Sequence, residues 1–586
     1  MKRRRPGGNV FGTSVPLADR VLALDRLGRI HESIASARTG EEYCRAALAA
    51  LDVRVRVTAA DLARIPRSGP VLVVANHPFG AVEGLALAAA LATVRPDVRI
   101  LANRLLSRIP QLGDSLLFVD VFAGTGAPGA NVSGLREALR FLGRGGLLAV
   151  FPAGEVAHID LSSLRVTDPE WNAGVARLAA RARAAIVPVY IPGRNPSLFQ
   201  AAGLLHPRLR TALLPRELLN KRHRAIELAI GGPIPWARLV RFETDRDRIE
   251  YLRRRTFFLA ARRRAPGRGE PEAPRTLQAV ASARPAGELV EEVRLLPAEQ
   301  RLVASGERSV LCARASQIPA VLLEIGRLRE LAFRGAGEGT GRSLDLDRFD
   351  ETYVHLFLWD GVRREIAGAY RLAAAHEIAA RLGPGGLYTH TLFEYGLDFL
   401  AELGPALELG RSFVRLERQR SSDALALLWR GIARFLALRP GIRTLFGAVS
   451  ISSDYSPVSR GLVARFLERH AWREELARRV RPRSPFRVQG VGRRPARQDA
   501  PLAFDLAELS ALVADLEPDR KGVPVLLRRY LELGGRAIAM NVDHDFGDTL
   551  DALVVVDLAR ANPRVLSRYL DRGVDRSQVP PAERSS

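Results

Sequence analysis

An apolar run, Val71 to Ala75, leads straight into Asn76-His77-Pro78-Phe79-Gly80, and Glu83 follows the histidine by six residues. A histidine oriented by a carboxylate can take a proton from a hydroxyl, and that hydroxyl can attack an acyl thioester. Glu83 would hold the imidazole tautomer that leaves the other ring nitrogen free as base. Asn76 and Pro78 would fix the turn. Further on, a second apolar run ends in Phe151-Pro152-Ala153-Gly154-Glu155, where the glycine permits close backbone approach to a ligand. Gly193-Arg194-Asn195 also follows an apolar run directly, so Arg194 is expected to point into the same cleft. His77 and Glu83 are the expected catalytic pair. Asn76, Phe151, Pro152, Gly154, Glu155 and Arg194 are the expected substrate contacts.

A second constellation lies in the other half of the chain. A helical stretch with Arg327 and Glu330 leads into the glycine-rich Gly337-Glu338-Gly339-Thr340-Gly341 and an acidic turn with Asp345, Asp347 and Asp350. Beyond it, Leu407-Glu408-Leu409-Gly410-Arg411-Ser412 reads as a strand breaking into a loop, with Arg418 and then a helix containing Leu428-Trp429 behind it.

Alternating elements must position both sets. In the first half the patterning predicts strands at 71–75, 98–102, 116–121, 147–151 and 186–191 and helices at 83–94, 132–143 and 170–183. Residues 226–230 read as a closing strand, and helices are expected between Leu17 and Leu51. This is an α/β pattern, in which catalytic residues sit at strand ends. Residues 262–275 are rich in proline, glycine and charge and read as a linker. The expected division is a first domain over 1–261, a linker over 262–289 and a second α/β domain over 290–580. Strands are expected there at 309–313, 353–359, 365–372, 405–409 and 553–558, and Arg478 to Pro501 reads as a basic loop.

The chain's 586 residues exceed one domain, and its 47% apolar and 26% charged content is that of ordinary globular protein. The net charge of +24 suggests an anionic partner, for which a membrane surface is expected. Eighty-five arginines against three lysines also reflect a compositional bias. Scattered basic residues without interleaved aromatics argue against nucleic acid. Cys44 and Cys312 have no ligand spacing, so no metal site or disulfide is expected, in keeping with a cytoplasmic location. No apolar run reaches spanning length. A peripheral protein on the inner face of the cell membrane is the expectation.

The strand-His77 motif, Phe151-Pro152-Ala153-Gly154 and Val187-Pro188-Val189-Tyr190 together resemble the glycerolipid (lysophospholipid) acyltransferases. Two departures stand out. That family usually has an aspartate where Val82 stands, and it usually has Phe-Pro-Glu-Gly and an arginine where Ala153 and Val121 stand. Loss of those polar groups implies a hydroxyl acceptor other than glycerol 3-phosphate. The second constellation, with its strand returning through Gly368-Ala-Tyr-Arg371, resembles N-acyltransferases of the GNAT fold, including acyl-homoserine-lactone synthases. That resemblance implies that Glu408 polarises an attacking amine, that Arg411 and Arg418 pair with a phosphopantetheine phosphate or an acidic carrier, and that Arg327, Glu330 and Glu338 also contact the substrates. The Arg-x-x-Gly-x-Gly loop of acetyl-coenzyme-A enzymes is absent, which implies acyl carrier protein as donor and no bound cofactor.

The two halves in this order resemble bacterial bifunctional amino-acid lipid synthases, which make ornithine or glycine lipids. The resemblance implies N-acylation of the amino acid by a 3-hydroxyacyl chain, followed by O-acylation of the lyso-lipid's 3-hydroxyl. The alternative is a phospholipid acyltransferase of the 1-acylglycerol-3-phosphate type whose GNAT-like C-terminal half is accessory or degenerate.

Overall fold

The computed structural model describes residues 23–119, 132–161, 165–264, 277–419, 422–488, 502–562 and 565. Val121, Asn131, much of the 262–275 stretch and the end of the basic loop lie outside them. The chain divides into two compact units, residues 1–265 with 500–502, and 266–499 with 503–586.

The N-terminal unit is built on strands β1 (Val71–Ala75), β2 (Val98–Asn103), β3 (Leu116–Val119), β4 (Leu147–Val150), β5 (Ala185–Tyr190) and β6 (Ala229–Ile230). Their order in the sheet is β6-β5-β1-β4-β2-β3, parallel throughout except for β6. Parallel strands covered on both faces need near-continuous apolar sequence, and every residue of β1 and β4 is buried. Helices α1 (Val82–Ala92), α2 (Val132–Gly143) and α3 (Ala173–Ala182) make crossovers. Central β1 ends at Ala75, which puts Asn76 and His77 at the carboxyl edge of the sheet, where ligands bind in open α/β sheets. After β5 come three short helices, α4 (Ser197–Leu205), α5 (Pro207–Ala212) and α6 (Leu214–Leu219). The expected strand over 226–230 is broken: Ala225–Glu227 leaves the main sheet to pair with Arg54–Arg56.

The C-terminal unit holds an eight-stranded sheet. Its strands are β7 (Arg301–Ser305), β8 (Arg308–Arg314), β9 (Val354–Asp360), β10 (Glu365–Ala374), β11 (Ala406–Val414), β12 (Thr444–Ile451), β13 (Arg536–Asp543) and β14 (Thr549–Asp557). They run in the order β7-β8-β9-β10-β11-β12-β14-β13. All pairs are antiparallel except β11–β12, which pair in parallel over 406–408. Helices α7 (Pro319–Gly335), α8 (Ser422–Ala437) and α9 (Pro457–His470) pack on it.

Two sequence expectations need correction here. The helix Ala286–Leu295 begins inside the stretch read as linker, and it buries Leu289 and Val293 in the core of this unit. Strand β11 does not break at Gly410. It runs on to Val414 through an irregularity in its pairing with β10, where Arg411 takes a left-handed φ of 48°. A bulge of this kind re-aims side chains without ending a strand.

Candidate active sites

His77 and Glu83 meet. His77 Nδ1 lies 3.0 Å from Glu83 Oε1. The approach departs from linear hydrogen-bond geometry, so the carboxylate acts on the ring chiefly by charge. Nδ1 is buried, so the 16% exposure of the side chain lies on the rest of the ring. Glu83 sits in the first turn of α1 and reaches back over the turn that carries His77. Its Oε1 accepts the Phe79 and Gly80 amides at 2.8 and 2.7 Å, and its Oε2 accepts Ala81 N–H at 3.1 Å. Burial pushes this carboxyl up, but the charge of His77 and the amides outweigh it and hold the group below its ordinary range.

The ring of His77 stacks on Phe151 with centroids 4.4 Å apart. Its backbone amide donates to both oxygens of Asp168, at 3.1 and 3.3 Å, and Asp168 also accepts Trp171 Nε1. Asn76 clamps the ends of β1 and β5: its amide donates to the Ile191 carbonyl at 2.8 Å and its oxygen accepts Ile191 N–H at 2.6 Å. Asn195 donates to the Phe79 carbonyl at 3.0 Å and accepts from Lys221 Nζ at 2.8 Å. Lys221 also lies over the Phe79 ring and near Glu217.

The other expected contacts divide. Phe151 lies against the histidine ring, Pro152 is buried, and Gly154, with φ of 67°, closes the turn after β4. Pro152 offers its carbonyl to Asn172 N–H. Glu155 pairs with Arg210 of α5 and faces outward. Arg194 is exposed while its neighbour Asn195 is buried, so it is Asn195 that turns inward. The sequence reading missed Lys221. Its signal was present: one of three lysines in a chain that otherwise uses arginine.

In the C-terminal unit a buried charge network runs across the sheet from α7. Arg329 donates to Asp350 at 2.7 Å, Arg371 donates to Asp347 at 2.6 Å, and Arg411 lies 3.4 Å from Asp345 and 3.5 Å from Asp347. The Arg411 guanidinium lies over the rings of Tyr388 and Phe546. Arg371 Nε and Nη2 and Arg411 Nε make no hydrogen bond among the described residues. Glu408 is buried beside this network, accepting Tyr353 O–H and the Thr389 amide. Burial pushes its carboxyl up, opposed by those two donors.

Glu338, Asp543 and Asp551 form an acidic group that couples electrostatically to Arg411 through the two aspartates. Asp551 is 4% exposed. Burial is the main cause of its raised carboxyl, with Asp543 and Glu338 adding to it. Burial also raises Glu338 to about 7, against a hydrogen bond from Ser450. The sequence reading missed Asp551, because only the β13–β14 pairing brings the two strands' acids to one face.

Three expected contacts have other partners. Arg327 is held by Glu324 one turn back. Glu330 accepts from Arg334, Thr340 and the Gly341 amide, and so pins the glycine-rich loop to α7. Arg418 pairs with Asp360 and Glu365 at the turn of the β9–β10 hairpin, far along the strands from Arg371. Among the described residues no group of His, Cys, Asp and Glu could hold a metal ion.

The residues 38–265 match the family model described as "Acyltransferase", and residues 328–430 match "Acetyltransferase (GNAT) domain". The chain is an acyltransferase. It joins an acyltransferase domain to a C-terminal GNAT domain. It is 29% identical over 311 residues to glycine N(alpha)-acyltransferase of Bacteroides thetaiotaomicron, which covers 50% of this chain and 90% of that one. It is 25% identical over 224 residues to lyso-glycine lipid O-acyltransferase of Phocaeicola vulgatus, covering 37% of this chain and 77% of that one. Among solved structures, the 1-acyl-sn-glycerophosphate acyltransferase PlsC of Thermotoga maritima aligns with a TM-score of 0.25 at 18% identity, covering 42% of this chain and 92% of that one.

Proposed function

We propose that this acyltransferase builds a diacylated amino-acid lipid in two steps. The GNAT-containing unit transfers a 3-hydroxyacyl chain from acyl carrier protein to the α-amino group of an amino acid, glycine or ornithine. The N-terminal unit then acylates the 3-hydroxyl of that lyso-lipid, with His77 as general base. The observation that carries the reading is the pair of relatives: one chain resembles both an N-acyltransferase and an O-acyltransferase named for the lyso form of the same lipid.

The residues support each step. In the first, Arg411 offers positive charge for the carboxylate of an amino acid, and the carboxyl groups of Asp543 and Asp551, which couple to it, offer hydrogen-bond acceptors for the amine. The amine's lone pair attacks the thioester carbonyl, the N–C bond forms as the C–S bond breaks, and the proton that the nitrogen gives up ends on the departing carrier thiol. In the second, Glu83 favours protonation of His77 as the ring takes the hydroxyl proton, so its charge counts most in the transition state. The ester C–O bond forms as the thioester C–S bond breaks, and His77 returns the proton to the departing thiolate. Ala153 removes the carboxylate usual at that position, in keeping with an acceptor that carries no phosphate. We assign the division between the two transferases to the stretch from 262 up to the helix that begins at Ala286, and association to the inner face of the cell membrane.

The test is lipid mass spectrometry of a host that makes no amino-acid lipids. The wild-type chain should add a diacylated amino-acid lipid, His77→Ala should stop at the mono-acylated form, and Arg411→Ala should give neither. Lipid extracts identical for wild type and both variants would sink the proposal.

A further inference from the structure

Helix α4, Ser-Leu-Phe-Gln-Ala-Ala-Gly-Leu-Leu, contains no charged residue. One face is committed to the fold, with Phe199 and Gln200 buried. A surface helix normally turns polar residues outward on the other face. Here the outward face carries Leu198, Ala201, Leu204 and Leu205, and Leu205 is 81% exposed. Leu209 of α5 and Leu161, which is 70% exposed, add to it, the latter from a hairpin packed against α4. Most of the large exposed apolar side chains of the N-terminal unit thus fall on one small region. Concentrated apolar exposure of this kind marks an interaction surface.

The region is tied directly to the catalytic turn. Gln200 donates to the Asn195 carbonyl and accepts the Ile159 amide, and Asn195 holds the Phe79 carbonyl. Arg210 pairs with Glu155 at the end of β4. Leu214 of α6 packs where a Cβ on Gly80 would be. Arg194 and Arg216, which flank the leucine-bearing segment in the chain, are exposed and form no ion pair among the described residues. The chain as a whole carries +24.

We infer that the α4–α5 segment is the surface by which the N-terminal unit seats on an anionic lipid bilayer, its leucines entering the acyl boundary and its arginines facing the headgroups. Leucines with flanking arginine suit such an interface. The location fits a substrate that cannot leave the membrane, and for that point alone the inference rests on the proposed O-acylation.

The test is sedimentation of the full chain with phosphatidylglycerol/phosphatidylethanolamine vesicles. Wild type should bind, and Leu204→Ser/Leu205→Ser should lower the partition coefficient tenfold or more with an unchanged melting temperature, since both side chains are exposed. In Leu205→Trp, added vesicles should shift the extra tryptophan emission to the blue. His77→Ala should partition like wild type, so a failure of the catalytic reading would leave this binding intact. Equal partition of wild type and the double serine variant would overturn the inference. So would a loss of self-association in that variant with vesicle binding unchanged, which would make the face a contact between copies.

Discussion

Glu83 stands one position later than the acid usual in the resembling family, yet its side chain is one methylene longer and bends back from the first turn of α1 to within 3.0 Å of His77. Three amides fix its two oxygens, so position and charge are both set before substrate arrives. Glu83→Gln removes the charge that favours protonated His77 and presents N–H where amides need an acceptor. The expected result is a loss of about 10²-fold or more in O-acylation, with lyso-lipid accumulating in the same extracts. An unchanged ratio of mono- to diacylated lipid would remove Glu83 from the mechanism. In the other unit, Glu338 supplies a pH prediction. Its carboxyl is raised to about 7 by burial, so the folded state favours the protonated form. The stability this contributes is present below the ordinary carboxylate range and is lost as pH rises through about 7. Glu338→Gln removes the dependence. Variant minus wild-type melting temperature should therefore be more positive at pH 8 than at pH 5, and a difference that is flat with pH would contradict the assignment.

At the scale of elements, the catalytic turn is held by residues brought in from strand ends and helices distant in sequence. Gly193, just after β5, has φ of 136°, and a Cβ there would lie 2.2 Å from the Phe79 ring. Gly193→Ala should destabilise the N-terminal unit by about 2–3 kcal/mol through backbone strain and overpacking. Differential scanning calorimetry should show the shift, with O-acylation falling too because Phe79 adjoins His77. This dependence also explains what was legible beforehand. His77 and Glu83 belong to a single strand–turn–helix, so local patterning exposed them, as it exposed the parallel strands of the first sheet and five of the eight strands of the second. Lys221 acts on the same turn from 144 positions further along the chain than His77, and only the fold brings it there. Arg327, Glu330 and Arg418 show a related effect. Their residue types suit ligand contact, but intrahelical and hairpin partners lie closer. The continuation of β11 through Arg411 was hidden because glycine beside arginine reads as a loop, whereas one left-handed residue suffices for a bulge.

At the scale of the whole molecule, the proposed reactions are consecutive, yet the N- and O-acyltransferase relatives are separate proteins. A mono-acylated amino acid is an amphiphile. Each buried methylene favours the bilayer by about 0.8 kcal/mol, so a long 3-hydroxyacyl chain holds the intermediate in the membrane while leaving it free to diffuse there. Intermediate released by one molecule is then available to the N-terminal unit of another on the same surface. His77→Ala retains N-acylation and Arg411→Ala retains O-acylation. Mixed on the same vesicles with 3-hydroxyacyl and acyl carrier protein, the two variants should together restore diacylated lipid to at least about a tenth of the wild-type rate. Placed on separate vesicle populations at equal protein concentration, they should restore far less. Full recovery on separate vesicles would mean that the intermediate leaves the membrane. No recovery on shared vesicles would mean that it never leaves the molecule that made it.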